Sequence, residues 1–571
     1  MKFQKVSSII PYLATFTSII LIIIGMVLLQ GVSPRFINLF VFLARDGNFE
    51  NINDIIISLK PLGLMMIELG IGALIIAAIV YHLNSKLNKR NSSSNLLIES
   101  KYPLIWVEKA DLLLLFIIGI FLFFCLPTLN QALWWDEAWT MRYVVSWKEI
   151  FVPNTVNNHL LNTILIKLMI TIIGEKEWVI RLPALLSGCI TITGIYYFIK
   201  NYYNSVFYSL LTAILAATSY GFIFLSINAR GYSIIMAVSI WNTILLQNIV
   251  KSNGLTLRSF LLLLIINFLG IITIPTSAIS LLALIAPFIW YSIYRNKYVI
   301  TTLGLLMVTL SCAMMSVLAY NISLPIRILS MSYINNALGY NLFSFFWGKL
   351  GYWLSDGGFV LLTIFFICFI IIGFYSLLRK NKLLFTFNFT LMILSLLVHM
   401  KSGMNSFWYS SMGMMFVPIL CCIGLIDIFI RYIRKINRAK YINIILLVMF
   451  LPGIYMNCNK SLSLWLPRSQ IDILCESIIT YARENQKIIG VILPTPPVEY
   501  YFSNHDIPYK GYSDIDDYQS SGIKHEIILS RANIDNSSEI DSNYNIEYFP
   551  GWADNYTLIY HQDTKKYFNK N

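Results

Sequence analysis

The chain has 571 residues, of which 57% are hydrophobic and only 12% charged, with a mean hydropathy of +0.66. A soluble domain carries about a quarter charged residues, so this composition excludes an ordinary soluble globular protein. The formal net charge of +13 sits in a few short loops, which points to the anionic lipid surface of a bilayer rather than to nucleic acid.

Apolar runs long enough to cross a bilayer as helix recur along the chain. About thirteen such helices can be placed, oriented by the lysines and arginines of the short loops. Lys2 and Lys5 put the N-terminus inside. The run from Ile9 to Gln30 is too long for a signal peptide core and is read as the first span. Pro61 to His82 returns inward, and Lys86, Lys89, Arg90, Lys101 and Lys109 form a basic inner loop. Asp111 to Pro127 then exits, which places Trp134-Trp135-Asp136-Glu137 on the outer side.

Between Thr128 and Ile180 the chain is semi-polar. Ala138 to Trp147 reads as a short helix with Asp136 at or near its N-cap. His159 to Gly174 is apolar but short, and is laid along the interface. That choice keeps the later basic loops inside. Arg181-Leu182-Pro183 then opens the span Leu182 to Ile199 from the outer side. Val206 to Ser226 leads out to the turn Asn228-Ala229-Arg230-Gly231-Tyr232, and Ser233 to Val250 leads in. Arg258 to Thr273, Ala278 to Tyr294 and Thr301 to Tyr320 follow, then an aromatic outer loop from Asn321 to Asp356. Gly357 to Leu378, Leu383 to His399, Ser410 to Ile430 and Tyr441 to Asn457 complete the set. From Asn459 the chain turns polar. Gln470 to Gln486 has helical apolar spacing, and Ile488 to Leu493, Glu526 to Leu529 and Thr557 to Tyr560 read as strands.

The expected fold is therefore an all-α polytopic membrane protein with a small C-terminal α/β domain. Three parts are expected: two N-terminal helices and a basic loop (1–110), a membrane module with an outer loop at 128–180 (111–458), and an extracytoplasmic domain (459–571). Of eight cysteines, Cys125, Cys189, Cys312, Cys368, Cys421 and Cys422 read as small buried hydrophobes. Cys458 and Cys475 flank the polar tail and could pair.

Asp136 and Glu137 read either as a general base with a helper, or as a helix cap followed by a first-turn acid. His159, Arg181, Arg230 and Lys401 all fall at outer helix ends in this topology. Singly each reads as a snorkelling anchor. Together with the carboxylates they suit an anion such as a lipid phosphate. Trp134, Trp135, Trp139, Trp147 and Trp178 fit an aromatic belt or a sugar-stacking surface. Asn158, His159, His399 and Glu137 could hold a divalent metal, without the tight spacing of a metal motif; no cofactor is firmly indicated.

The ordered set Asp136-Glu137-Ala138, His159, Arg181-Leu182-Pro183-Ala184 and Ala229-Arg230-Gly231-Tyr232 resembles the membrane glycosyltransferases of the C superfamily. The nearest groups are bacterial relatives of protein O-mannosyltransferases and the lipid A aminoarabinose transferase. The resemblance covers Leu112 to Val250 by motif and the rest by architecture. The sequence departs from the pattern at Trp139, where Tyr is usual, and at His159-Leu160-Leu161, where His-Pro-Pro-Leu is usual. The resemblance implies inverting transfer of a sugar from a polyprenyl-phosphate carrier to a glycan, lipid or protein acceptor on the outer face of the cell membrane. It implies Asp136 as base with Glu137 beside it, and His159, Arg181, Arg230, Tyr232 and Lys401 as phosphate-binding groups. A flippase for a lipid-linked saccharide and a non-catalytic assembly partner are the rival functions.

Overall fold

The computed structural model describes residues 109–150, 159–309, 360–402, 411–433, 442–465, 471–530, 544–549 and 556–567, apart from 296–300 and scattered single positions. The first two predicted helices and the aromatic loop Asn321 to Asp356 lie outside the described residues.

The described helices follow the predicted runs closely. They are α1 (Leu113–Cys125), α2 (Trp135–Val144), α3 (Leu160–Ile173), α4 (Glu177–Tyr203), α5 (Val206–Thr218), α6 (Tyr220–Ser226) and α7 (Tyr232–Lys251). After them come α8 (Leu257–Thr273), α9 (Ala278–Arg295), α10 (Val360–Lys380), α11 (Lys382–Ser402), α12 (Phe416–Ile433) and α13 (Ile442–Leu462). Among the described residues, 3 helices are long and apolar enough to cross a membrane, or 4 if the bent pair α5–α6 is one span. The higher count read from the sequence thus includes runs that are shorter as helices and runs outside the described residues. α1 buries Leu114, Ile117 and Phe121 but exposes Leu113, Leu115 and Phe116. An apolar face left on the outside of a helix in this way suits contact with lipid.

Two details correct the sequence reading. Val206 to Ser226 is not one straight span: the chain bends by 63° between α5 and α6. Ser219 at the bend is extended (φ −69°, ψ 129°), and the Ser461 hydroxyl from α13 donates to the Thr218 carbonyl (2.9 Å). A carbonyl released by a break in a helix is thereby satisfied. Secondly, Arg181 and Pro183 do not open α4 but lie inside it, because the helix starts at Glu177. α10 and α12 meet at Gly373 and Gly424, where a Cβ on either residue would strike the backbone of the facing helix. Close approach through small residues is a usual way to pack helices in lipid.

The polar tail folds around a five-stranded sheet of β1 (Ile489–Ile492), β2 (Tyr509–Tyr512), β3 (Ile527–Ser530), β4 (Tyr544–Phe549) and β5 (Tyr556–His561). The order is β2-β1-β3-β5-β4. β1 pairs in parallel with β2 and β3, whereas β5 pairs antiparallel with β3 and β4. Helices α14 (Ile471–Asn485) and α15 (Pro496–Asn504) accompany it. β2, β4 and α15 have no counterpart in the sequence reading. Cys458 and Cys475 are free thiols, so the suggested pairing is not formed.

The sheet domain shares one core with the loop that carries Asp136. Leu133, Ala138, Met141 and Val144 pack in the same cluster as Leu474, Ile478, Val498, Tyr501 and Phe502. Leu133 and Phe502 are completely buried, and each such side chain contributes about 1.5–3 kcal/mol relative to exposure.

Candidate active site

The chain enters α2 with the helix N-cap at Trp134, so Asp136 and Glu137 occupy its first turn, where carboxylates oppose the positive end of the dipole. Adjacent helical residues point about 100° apart, and here that separates the pair completely. Glu137 is wholly buried. Its Oε2 accepts the Trp134 N–H (3.4 Å), and its Oε1 accepts the Ala229 N–H (2.9 Å). Asp136 is half-buried, and its carboxylate has no hydrogen-bond or ion-pair partner among the described residues.

Arg181 supplies the charge that Glu137 requires. The two form a bidentate pair, Nε to Oε1 at 2.9 Å and Nη2 to Oε2 at 2.6 Å, with both side chains fully buried. The remaining guanidinium donors reach the backbone of the preceding loop. Nη1 donates to the carbonyls of Leu129 (2.6 Å) and Gln131 (2.6 Å), and Nη2 to that of Ala132 (3.1 Å). Arg181 thus faces inward and holds the loop in place; all its nitrogens are directed to this structure rather than to the rim.

Arg230 lies over the same turn of α2. Its Nη1 donates to the Thr140 hydroxyl (3.3 Å) and towards the Asp136 carbonyl (3.4 Å). The residue is 2% exposed. A buried cation and a half-exposed carboxylate therefore share one helical turn.

His159 is the N-cap residue of α3 and is buried. Its Nδ1 accepts the Gly231 N–H (2.8 Å), and its ring stands edge-on to Tyr232 (5.0 Å between centroids, 86°). Burial, and then the nearby Arg230 charge, hold its pKa well below the ordinary histidine value. The ring is therefore neutral near pH 7, not one of four cations on a rim. With Nδ1 accepting, its proton sits on Nε2. Gly231 permits this contact, since a Cβ there would press on Thr273 and on the imidazole.

The structure brings together Asp136, Glu137, His159, Arg181, Arg230 and Tyr232. Lys401 falls near the end of α11, with its side chain outside the described residues. Of the groups considered for a metal, Glu137 and His159 Nδ1 already serve the internal partners above, while Asn158 and the His399 side chain lie outside the described residues. No cluster of three His, Cys, Asp or Glu side chains suited to a metal occurs among the described residues.

The sequence reading missed five contacts of the site. Asn228 accepts the Trp134 indole N–H (3.4 Å). Trp139 donates to the Tyr143 hydroxyl (3.2 Å), and Arg142 stacks on the Trp139 ring at 4.4 Å. Tyr501 reaches in from the sheet domain: its hydroxyl accepts the Leu133 N–H (3.0 Å) and donates to Glu177 (3.4 Å). The i, i+4 spacing of Trp139 and Tyr143 and the i, i+3 spacing of Trp139 and Arg142 were visible in the sequence; the contacts of Asn228 and Tyr501 carry no local signal.

Comparison with known proteins fits this arrangement. The fold matches that of ArnT from Cupriavidus metallidurans in the apo state, with a TM-score of 0.51, 10% identity, and coverage of 80% of this chain and 99% of that one. The same protein bound to undecaprenyl phosphate matches with a TM-score of 0.52, again at 10% identity and with coverage of 80% and 99%. The family model described as dolichyl-phosphate-mannose-protein mannosyltransferase matches residues 160–320, a stretch that contains Arg181 and Arg230. No curated protein matches by sequence. The resemblance to the C-superfamily glycosyltransferases, read from the motifs, is borne out by these matches.

Proposed function

We propose that the chain is an inverting membrane glycosyltransferase that moves a sugar from a polyprenyl-phosphate carrier to a cell-envelope acceptor on the outer face. The observation that carries this reading is the division of labour in the first turn of α2. One carboxylate is neutralised by a buried arginine, and its neighbour is half-exposed beside a second buried arginine.

In this reading Asp136 takes the proton of the acceptor hydroxyl as its oxygen bonds to the anomeric carbon of the sugar. The bond from that carbon to the phosphate oxygen breaks, and the electron pair leaves on the lipid phosphate. The phosphate gains negative charge, so it needs cations and donors more than an acid proton. One base is then enough, without the paired carboxylates of a soluble glycosidase. In this reading Arg230 binds the phosphate. The Nε2–H of neutral His159 supplies a directed donor, and Tyr232 and Lys401 complete the expected group. Arg181 acts behind the site by keeping Glu137 ionised and the loop fixed. The sheet domain, 459–571, is extracytoplasmic and covers the back of the loop. ArnT, whose fold this chain shares, is a protein that has been seen with undecaprenyl phosphate bound, which supports a lipid-phosphate donor here.

The test is transfer of labelled sugar from a polyprenyl-phosphate donor by protein reconstituted in vesicles. Asp136→Asn should lose transfer and keep its folded yield. Wild-type turnover in that variant would reject the reading.

A further inference from the structure

The loop that leads into α2 contains Thr128 to Trp134, and its backbone groups are held by side chains from three directions. Arg181 gathers the carbonyls of Leu129, Gln131 and Ala132. Glu137 takes the Trp134 N–H. The Leu133 N–H is taken by Tyr501, which belongs to α15 of the sheet domain and is 368 residues away in the sequence.

Tyr501 is itself firmly placed. It is 5% exposed. Its hydroxyl donates to Glu177 in the first turn of α4, and its ring meets Tyr500 edge-on at 5.1 Å. Tyr500 donates to Glu175 (2.9 Å), and Asn504 donates to the same carboxylate (3.3 Å). Arg142 of α2 pairs with Glu499. α15 is therefore tied both to α2 and to the start of α4, the two helices that bear Asp136 and Arg181.

We infer that Tyr501 is a positioning residue for the reaction, so that the sheet domain sets the place of the Asp136 carboxylate without touching substrate. This rests on the proposed glycosyl transfer. Leu133 is three residues before Asp136, and its N–H is the last backbone group of the loop held from outside α2. Without the tyrosine hydroxyl, a buried amide donor would lose its partner, and such groups are costly to leave unsatisfied. The loop would shift to satisfy it, and α2 begins where the loop ends. Displacement of a reacting group by about 1 Å can lower turnover by about a hundredfold.

The experiment compares Tyr501→Phe with Val498→Ala in the full chain, reconstituted with a polyprenyl-phosphate sugar donor. Val498 is 1% exposed in the same shared core and makes no side-chain hydrogen bond. Tyr501→Phe should lower kcat by about tenfold to a hundredfold with donor KM within twofold of wild type. Exchange of the Leu133 amide with deuterium should rise. Val498→Ala should lower the melting temperature more, keep kcat within threefold, and leave the Leu133 amide protected. A kcat within twofold of wild type in Tyr501→Phe, or an equal kcat loss in Val498→Ala, overturns the inference. If Tyr501→Phe does not accumulate, exchange in the wild-type protein decides: a Leu133 amide that exchanges as fast as an exposed loop also overturns it. Asp136→Asn is run beside them. Loss of transfer there with unchanged Tyr501→Phe turnover rejects the positioning role alone, whereas transfer by Asp136→Asn rejects the enzyme reading.

Discussion

The two ends of α4 carry the same device and put it to different use. Near its start, Arg181 pairs with Glu137 inside the protein. Near its finish, Lys200 pairs with Asp111 (2.8 Å), which also accepts the Tyr196 hydroxyl. The two cations are separated by about 28 Å of helical rise, close to the hydrocarbon thickness of a bilayer. At the Lys200 end a neighbouring acid, Asp427, is likewise engaged, by Lys380, Ser376 and Tyr203. At the Arg181 end the acid next in sequence, Asp136, has no such partner among the described residues. Burying an ion pair in a lipid-embedded helix serves architecture at both ends. Only one end keeps a carboxylate in reserve, and a second arginine, Arg230, lies over the same helical turn, reaching the Thr140 hydroxyl and the Asp136 carbonyl. On the proposed reading, what separates a structural end from a reactive one is the group that the ion pair leaves over.

This contrast can be broken at several points. Asp136→Asn removes the reserve carboxylate and should lower transfer by about a hundredfold to ten-thousandfold, the range for a general base. Sugar transfer by purified protein in vesicles measures it. Arg181→Ala and Lys200→Ala each orphan a buried carboxylate and should each destabilise by about 3–5 kcal/mol, read from denaturation in detergent. The two should part in activity. Folded Lys200→Ala protein should turn over at close to the wild-type rate, while Arg181→Ala should not, because it also frees the loop before Asp136. Equal activity in the two would erase the distinction between the ends.

A smaller effect should appear in the pH dependence of stability. Native His159 is held neutral, with its pKa depressed by burial and Arg230, whereas the unfolded ring titrates near 6.5. Between those two values the unfolded chain binds the extra proton, so stability falls as pH drops below about 6.5. His159→Asn should flatten that part of the curve of melting temperature against pH. The smallest effect belongs to Arg142 and Glu499, whose side chains are 40% and 31% exposed. Glu499→Gln should cost less than about 1 kcal/mol in the same melting measurement.

The helices were legible because apolar runs and basic loops are local signals. α7 was expected from Ser233 to Val250 and runs from Tyr232 to Lys251. The bend at Ser219 was not legible, since apolar residues continue on both sides and its stabilising donor comes from Ser461. Strand β4 was missed because it is an edge strand whose pairing with β5 is fixed only by the fold. In the site, the proximity of Asp136, Glu137, His159, Arg181, Arg230 and Tyr232 was legible from their order in the chain, and their contacts were not. Arg181 reads as a rim cation until its partner, 44 residues earlier, is seen. Asp136 and Glu137 look equivalent in sequence until the phase of α2 assigns one inward. His159 looks basic until burial and the Gly231 N–H fix its neutral form.

The bend between α5 and α6 also bears on how the protein is made. The hydroxyl that closes it lies 243 residues further along the chain. At roughly 5–20 residues per second, Ser461 is synthesised roughly 10–50 s after Thr218. For that interval the nascent α5–α6 segment has a polar carbonyl in lipid without its final donor. The segment must wait in the insertion machinery, borrow water or another chain, or remain straighter than in the finished fold. Closure of the bend by Ser461 is thus a late event of assembly, made when α13 arrives, immediately before the sheet domain that closes over the loop.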